Sequence, residues 1–199
     1  SYSVNNPGPC ICNAYQNSAA ALNTDEDILE VTIANLSVVS TCTTTAPGAG
    51  SIPNQYSNYA GVVNAASLIA GQNYNFTVQV GTCGGAFPNA IACYIDFNQN
   101  ASFNDPGEQV YLSPAPTNGP HLETGTITIP ANASVGITRM RWILNETPTP
   151  AVITATGSYA LGETEDFCAQ LLPPLCNGSI SAGQSALSNS LACANTSLT

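Results

Sequence analysis

The chain contains no lysine, and its only basic residues are Arg139, Arg141 and His121. Twelve acidic residues leave a net charge of −10 at pH 7. Without a cationic surface, a protein cannot displace the counterions of a nucleic acid. It also gains no attraction to an anionic membrane surface. The shortage of positive charge therefore excludes both kinds of partner, and it favours solubility and the binding of cations.

Residues that commonly perform catalysis are also scarce. His121 follows Gly119 and Pro120, which is typical of a surface turn, and no serine or cysteine nucleophile motif surrounds it. Lysine is absent, so Schiff-base chemistry has no candidate residue. The acids gather in one N-terminal run, one loop and one later motif rather than in a spaced catalytic pair. We therefore expect no enzymatic activity and no cofactor other than a metal ion.

Long apolar runs and helical patterns are missing as well. No run approaches the roughly eighteen apolar residues that cross a bilayer, and fourteen prolines disfavour helices. The stretch 18–22 is the one candidate for a helical turn. Apolar and polar residues instead alternate, and this alternation predicts strands. The clearest cases are residues 28–33, 74–80, 125–129 and 138–144. We predict an all-β fold, an antiparallel β-sandwich with jelly-roll or Ig-like character.

Eight cysteines are present, and their even number predicts disulfides that staple this sandwich in an oxidising, extracellular setting. They are Cys10, Cys12, Cys42, Cys83, Cys93, Cys168, Cys176 and Cys193. Zinc is the rival interpretation, but Cys10 and Cys12 lie closer than the usual ligand spacing and the single histidine is distant. Many connectivities are open. The expected pairs are Cys83 with Cys93, between neighbouring strands, and Cys176 with Cys193, near the C-terminus.

The ends of the chain differ from its middle in composition. The chain starts without methionine or an apolar leader, so we expect a mature secreted form. The sequence LLPP at 171–174 suggests a boundary, and no charged residue follows it. We predict an N-terminal arm over 1–11 and a β-sandwich domain over 12–172. Residues 173–199 are predicted to be a C-terminal arm or the start of a second Ig-like module.

The stretch 95–108, IDFNQNASFNDPGE, is the strongest candidate site. Side-chain oxygens at alternating positions of a turn can converge on one point, as they do around hard cations such as Ca²⁺. Apolar segments flank the stretch on both sides, which predicts an ordered turn between two strands. The alternative is a turn in which Asx side chains cap their own backbone without metal. The candidate calcium ligands are Asp96, Asn98, Asn100, Asn104, Asp105 and Glu108.

The two arginines belong to the motif TRMRW and three acids to the motif GETEDF. If each motif is a strand, Arg139 and Arg141 share one face of the first, and Glu163 and Glu165 share one face of the second. We predict that the two strands are neighbours and that at least one arginine pairs with Glu163, Glu165 or Asp166, since the planar guanidinium binds carboxylates at two points. The alternative is that these acids join the metal site.

Taken in order, IDFNQNASFNDPGE, TRMRW and GETEDF resemble the GEVED domain of secreted and surface proteins of Bacteroidetes and related bacteria. There the loop reads like DWNQDGDFDDAGE and the closing strand like GEVEDY. The resemblance covers roughly residues 12–171, and the tail resembles the start of the Ig-like repeats that often follow such domains. It implies an extracellular β domain. Asn100 and Ala101 replace Asp-Gly, which removes a charge and a glycine from the metal loop, and Thr164 replaces valine.

Sequons for N-glycosylation recur along the chain, and the threonine-rich tract 41–53 has the composition of an O-glycosylated segment. The sequon asparagines are Asn35, Asn75, Asn100, Asn132, Asn145, Asn177 and Asn195. Loops this rich in serine and threonine are also ordinary bare loops. The sequence therefore leaves two alternatives open, which are attached glycans and bare loops.

We expect a structural role, as the subunit of an extracellular or cell-surface fibre. Edge strands without lysine do not block pairing with another chain. The uncharged segment 176–199 or the stretch 1–9 could add as a strand to a neighbouring copy, and head-to-tail contacts would give a filament. The alternative is an adhesion or carbohydrate-binding accessory module, with Tyr56, Tyr59 and Tyr111 as candidates for stacking on sugar.

Overall fold

The computed structural model of the chain describes residues 14–175. These residues form β-strands and one short 3₁₀ helix, Pro150–Val152. The strands in chain order are Ser18–Ala20 (β1), Glu26–Ile33 (β2), Leu36–Val39 (β3), Tyr56–Asn58 (β4), Ala66–Ile69 (β5), Asn73–Thr82 (β6), Pro88–Ile95 (β7), Gln109–Leu112 (β8), Thr117–Asn118 (β9), His121–Thr128 (β10), Gly136–Glu146 (β11), Gly157–Tyr159 (β12) and Gly162–Leu172 (β13). No helix within 14–175 is long and apolar enough to cross a membrane.

Two main sheets pack face to face, and β1 and β12 form a third sheet of two parallel strands. The smaller main sheet has the order β10-β6-β2-β3, and all its pairs are antiparallel. The larger has the order β4-β13-β11-β7-β8, with β5 added to β13 and β9 to β7. Its long central strands β13, β11 and β7 are antiparallel, whereas the short strands β4 and β5 run parallel to β13. The predicted fold class, an all-β antiparallel sandwich stapled by disulfide, is confirmed.

The core lies between the sheets because strand alternation directs every second side chain inward. Ile28 and Phe76 enter it from the smaller sheet, and Ile91, Trp142 and Phe167 enter it from the larger. The ring centroids of Phe76 and Trp142 lie 4.9 Å apart. Burying each large apolar side chain stabilises the fold by roughly 1.5–3 kcal/mol. The alternation seen in the sequence is therefore the pattern that builds this core.

The outer face of the larger sheet is covered by the connection between β7 and β8 and by the 3₁₀ segment. Phe103 of that connection and Ile153 pack against Tyr94 and Ile143 in a second apolar cluster. The hydroxyl of Tyr94 donates a 3.0 Å hydrogen bond to the carbonyl of Ile153. The candidate loop thus lies across a sheet face.

The stretch 18–22 does not form the helical turn considered from its sequence. Its first three residues are β1, which pairs in parallel with β12. Ser18 exchanges a 2.9 Å hydrogen bond with the hydroxyl of Thr164 in β13, and Ala20 is buried. A few alanines cannot offset the cost of helix nucleation, so pairing with a neighbouring strand determines the backbone here.

The expected disulfide between Cys83 and Cys93 is wrong. Cys83 pairs with Cys42, and Cys93 is a free, buried cysteine whose thiol pKa is raised by burial. The reason is topological, since β6 and β7 are consecutive in the chain but belong to different sheets. Cys168 is also disulfide-bonded. The second expected pair, Cys176 with Cys193, lies outside the described residues, as do Cys10 and Cys12.

The last strand, β13, ends at Leu172, within the stretch expected to be a domain boundary. The two predicted terminal arms lie outside the described residues, apart from residues 173–175. Their role in assembly therefore stays a prediction.

Candidate functional site

Both arginines pair with Asp166 on the outer face of the larger sheet. Strands β11 and β13 are neighbours, and Arg141 stands directly opposite Asp166. Arg141 donates to both carboxylate oxygens, from Nε at 2.7 Å and Nη2 at 2.8 Å. Arg139 adds a bond of 2.6 Å from Nη1, and the hydroxyl of Tyr56 adds one of 2.8 Å. Burial alone would raise the pKa of Asp166, but the hydrogen bond and charge of Arg141 and the charge of Arg139 lower it.

The other two acids of the motif, Glu163 and Glu165, face the opposite way and are not partners of the arginines. They share the inward face of β13 with Phe167. Glu163 accepts bonds from the hydroxyl of Ser57 at 2.6 Å and from the backbone of Ile28 at 3.2 Å. Burial raises the pKa of Glu163, and the charge of Glu165 adds to the shift. Only one of the three candidate acids, Asp166, therefore forms the ion pair.

Gly162, the first residue of the motif, is required by a close backbone approach. Its φ is +117°, and a Cβ added there would lie 2.1 Å from the carbonyl oxygen of Leu144. No other residue type fits that position without displacing β11. The motif therefore combines a packing glycine, two inward glutamates and an outward aspartate, all of which serve the fold.

Two aromatic residues, Tyr15 and Phe103, join the arginine pair to the candidate loop. The guanidinium carbon of Arg139 lies 5.0 Å from the ring centre of Tyr15, and that of Arg141 lies 5.2 Å from the ring centre of Phe103. The two rings stack with their centroids 4.9 Å apart. Such cation–π contacts orient the guanidinium groups. The arginine pair and the candidate loop are thus connected by direct contacts. Neither aromatic residue was singled out from the sequence.

Asp96 stabilises the loop by accepting hydrogen bonds from the loop backbone. Its Oδ1 accepts from the amides of Gln99 at 2.6 Å and Asn100 at 3.3 Å. Its Oδ2 accepts from the amide of Ala101 at 2.9 Å and from the hydroxyl of Tyr15 at 2.6 Å. Each oxygen therefore has two donors already, which matches the expected alternative of a self-capped turn.

The other candidate calcium ligands follow the same pattern. The side-chain oxygens of Asn98 and Asn100 accept bonds from the amides of Asn100 and Ser102. The side-chain nitrogen Nδ2 of Asn100 donates a 2.8 Å hydrogen bond to the carboxylate of Asp105, and this bond closes the loop. Asn104 is exposed. Within residues 14–175, the acids of this loop do not bring three ligand oxygens within 4.8 Å of one another.

Glu108 has one buried oxygen without a hydrogen-bond partner. Its Oε1 accepts a 2.9 Å bond from the amide of Phe97, while Oε2 is buried and has no hydrogen-bond partner. Burial raises the pKa of Glu108 to about 7, although the bond from Phe97 opposes the shift. Calcium binding by this loop stays a prediction that depends chiefly on Glu108.

Ala101 occupies the position where the resembling loops have glycine, and it adopts a glycine-like backbone. Its φ is +64°, and Gln99 is also left-handed, with φ of +62°. This conformation costs a residue with a Cβ roughly 1–2 kcal/mol. The loop therefore keeps the shape of a glycine-containing turn after the glycine has been replaced.

The sequon asparagines have different environments. Asn75 and Asn132 are exposed. Asn35 is exposed too, but its amide group bonds to the backbone of residues 65 and 67. Asn145 is buried, which does not favour an attached sugar, and glycosylation there stays a prediction. Asn100 uses its amide within the loop, and Asn177 and Asn195 lie outside the described residues.

His121 lies beside an acid and a serine without forming a catalytic triad. Its Nε2 is 3.2 Å from Glu123, and Glu123 also accepts bonds from Ser113 at 2.7 Å and Tyr111 at 2.5 Å. In a triad the histidine stands between serine and acid. Here the acid stands between them, so His121 is not placed to take the proton of Ser113.

The candidate sugar-stacking tyrosines are used in packing. The Tyr59 ring is buried and stacks on Phe167 at 5.1 Å. Tyr56 bonds to Asp166, and the Tyr111 ring packs edge-on against Phe76 at 4.7 Å. Tyr59 is buried, whereas Tyr56 and Tyr111 are half-buried.

Residues 90–170 match the family model of the GEVED domain. Among solved structures, the chain is similar to a Niemann-Pick type C2 protein from the Japanese carpenter ant, with 7% identity, a TM-score of 0.41, and coverage of 76% of this chain and 96% of that one. It is also similar to the CARDB domain of a Pyrococcus furiosus protein in complex with di-metal ions, with 11% identity, a TM-score of 0.33, and coverage of 55% and 86%. No curated protein matches the chain.

Proposed function

We propose, on the premise that residues 90–170 of this chain belong to the GEVED domain family, that the protein is a non-enzymatic structural module. In this proposal it is the subunit of an extracellular or cell-surface fibre formed by copies of itself. The family match and the disulfide between Cys42 and Cys83 are consistent with an extracellular protein.

The distribution of charge supports close packing of copies. Arg139 and Arg141 are both buried. Seven of the twelve acids are buried as well, and the other five are only partly exposed. The buried acids are Glu26, Asp27, Asp96, Glu108, Glu163, Glu165 and Asp166. The surface of residues 14–175 is therefore dominated by uncharged polar groups, so close packing of copies removes few charged side chains from water.

The open edge of β10 is the observation that carries the proposal. Each sheet has two edges, and β10, with eight residues, is the longest edge strand. It pairs with β6 on one side, and no strand within 14–175 pairs with its other side. Tyr111 of β8 and the neighbouring Ser113 bond to Glu123 of β10 through their side chains. Among the residues that commonly protect such edges, the strand contains no lysine, arginine or proline, and its one acid, Glu123, is engaged in these bonds.

A single charge on this edge tests the proposal. Thr124 is exposed in β10, and Asn132 is exposed in the loop that follows β10, so Thr124→Lys and Asn132→Lys add the same charge on and off the edge strand. We expect the wild type and Asn132→Lys to sediment as assemblies in analytical ultracentrifugation and Thr124→Lys to sediment as a monomer. Thermal melting of all three checks that folding is retained. A wild type that stays a monomer at high concentration would defeat the proposal.

The alternative, an adhesion or carbohydrate-binding module, has less support. Phe87, 42% exposed, is the one aromatic side chain of residues 14–175 among the exposed large hydrophobic side chains. A single exposed ring makes a poor platform for a sugar. A glycan array that captures the wild type but not Phe87→Ser would favour this alternative over the fibre.

Calcium binding by the loop between β7 and β8 forms a separate part of the proposal. The free Oε2 of Glu108 supports it, whereas the four donors on Asp96 oppose it. Calorimetric titration of the wild type and Glu108→Gln with Ca²⁺, after treatment with chelator, tests this part. Equal binding by the two proteins would contradict it.

A further inference from the structure

A group of oxygen-bearing side chains meets at one end of the sandwich interior, away from the loop. Asn89 of β7 and Glu146 of β11 stand directly opposite each other. They continue the inward faces that carry Ile91 and Leu144. Glu26 approaches from the facing sheet, and its Oε1 accepts a 2.6 Å bond from the amide of Phe87. Three distant parts of the chain thus bring two carboxylates and one amide together.

Each of these three side chains has one buried oxygen without a hydrogen-bond partner. The atoms are Oε2 of Glu26, Oδ1 of Asn89 and Oε2 of Glu146. Glu26 and Asn89 have no exposed surface. The amide nitrogen of Asn89 donates to the carbonyls of Phe87 and Gly119, at 3.1 and 3.3 Å, so its oxygen is directed away from both. A buried polar atom without a hydrogen-bond partner destabilises the folded protein by about 1–3 kcal/mol. A ligand that contacts all three oxygens would remove this cost.

Neither arginine is available to these oxygens. Both arginines lie on the opposite face of β11, bound to Asp166, and His121 pairs with Glu123. The charged neighbours of Glu146 are Glu26, which it contacts, and Asp25, and both are also acids. Two carboxylates in contact require a shared proton or a cation between them.

We propose that Glu26, Asn89 and Glu146 form a binding site for one Ca²⁺ ion. Oxygens of carboxylates and amides are the ligands that this ion prefers, and it accepts irregular arrangements of six to eight of them. Glu146 is partly exposed, so water can reach the site and supply the remaining ligands. Mg²⁺ fits less well because it requires near-octahedral geometry and gives up its water reluctantly. The ion would join β2 to β7 and β11 and so hold the two sheets together.

Calorimetric titration with CaCl₂ tests the site on the full chain, at neutral pH after chelation. We expect the wild type to bind Ca²⁺ and its melting temperature to rise with the ion. Glu146→Gln and Glu26→Gln should each weaken binding by at least about tenfold, because calcium affinity depends on the charge of the ligands. Glu30→Gln is the matched control, since it removes the same charge from a partly exposed position of β2 outside the site and should leave this binding intact.

Melting of the variants in chelator separates loss of the site from loss of the fold. Glu146→Gln should melt at or above the wild-type temperature there, because it removes repulsion between two acids. The absence of both heat and a melting shift in the wild type would overturn the proposal and leave a shared proton between Glu26 and Glu146. Binding that is undiminished in both Glu146→Gln and Glu26→Gln would also overturn it.

Discussion

Arg141 and Asp166 form a buried two-point ion pair between the central strands of the larger sheet. The pair joins Nε to Oδ1 at 2.7 Å and Nη2 to Oδ2 at 2.8 Å, and the two residues are 1% and 0% exposed. Arg141 also donates from Nη1 to the carbonyls of Gln16 and Ala155, at 2.9 and 2.7 Å. The pair therefore ties the N-terminal part of the described chain and the 3₁₀ region to the sheet.

Replacing Asp166 by asparagine should destabilise the protein by about 3–5 kcal/mol, because the guanidinium groups of Arg139 and Arg141 would stay buried without a counter-charge. Chemical denaturation measures the change in the free energy of unfolding. Glu30→Gln, on the partly exposed side of β2, is the control and should change it by less than about 0.5 kcal/mol. Equal stability of Asp166→Asn and the wild type would show that the pair does not hold the sheet.

Replacing Ala101 by glycine should stabilise the protein by up to about 1 kcal/mol, because relief of the left-handed strain outweighs the added freedom of the unfolded chain. Ala133→Gly is a suitable comparison, since Ala133 is buried and lacks a positive φ, and it should destabilise. Both changes are read from the denaturation midpoint. A loss of stability in Ala101→Gly would mean that the alanine side chain contributes packing that the backbone geometry does not indicate.

Stability in chelator should fall as the pH rises above the ordinary pKa of glutamate. Glu165 lies inside the sandwich near Asp27, and burial followed by the charge of Asp27 raises its pKa well above the ordinary value. The pKa of Glu163 is raised in the same way, chiefly by burial. A folded protein that retains protons the unfolded chain releases is most stable below the ordinary glutamate pKa, and it loses that stability as the pH passes the raised value.

Glu165→Gln should reduce this loss, because glutamine mimics the protonated acid at every pH. Melting temperatures of the two proteins across the pH range provide the comparison. Asp166 acts in the opposite direction, since its pKa is lowered, so its contribution is lost only in stronger acid. Identical pH profiles for Glu165→Gln and the wild type would contradict the role given to Glu165.

The cysteines should react in two distinct ways. Without reductant, Cys93 should stay unlabelled by iodoacetamide in the native state and become labelled after denaturation, whereas Cys42 and Cys83 should stay unlabelled in both. Removing the disulfide with Cys42→Ser and Cys83→Ser should cost about 4 kcal/mol, given a sequence separation of 41 residues. Peptide mapping by mass spectrometry measures the labelling, and a peptide that links Cys83 to Cys93 would refute the observed pairing.

Local patterns predicted the strands well because strand alternation is a property of neighbouring residues. The strands around Ile28, Tyr74 and Trp142 follow directly from it. Which sheet a strand joins depends on distant pairing, and for this reason the pairing of Cys83 was wrong. The sequence did contain a signal for the inward direction of Glu165, because the apolar Phe167 lies two residues later on the same face of β13. This signal was missed.

The hydrogen-bond partners of Asp96 and the grouping of the candidate calcium ligands were harder to predict than the fold. The self-capped turn at Asp96 was one of two alternatives that the loop sequence left open, and only the geometry of its donors distinguishes them. Tyr15, which bonds to Asp96, carries no local signal. Glu26, Asn89 and Glu146 are far apart in the chain, and each lies at or next to the end of a strand, so no spacing rule could group them.

Cryo-electron microscopy of the assembled full chain is the most direct test of fibre formation through β10. We expect fibres in which a strand of a neighbouring copy continues the smaller sheet along the open edge of β10. Particles that remain single at high concentration, or fibres in which that edge of β10 faces solvent, would contradict it.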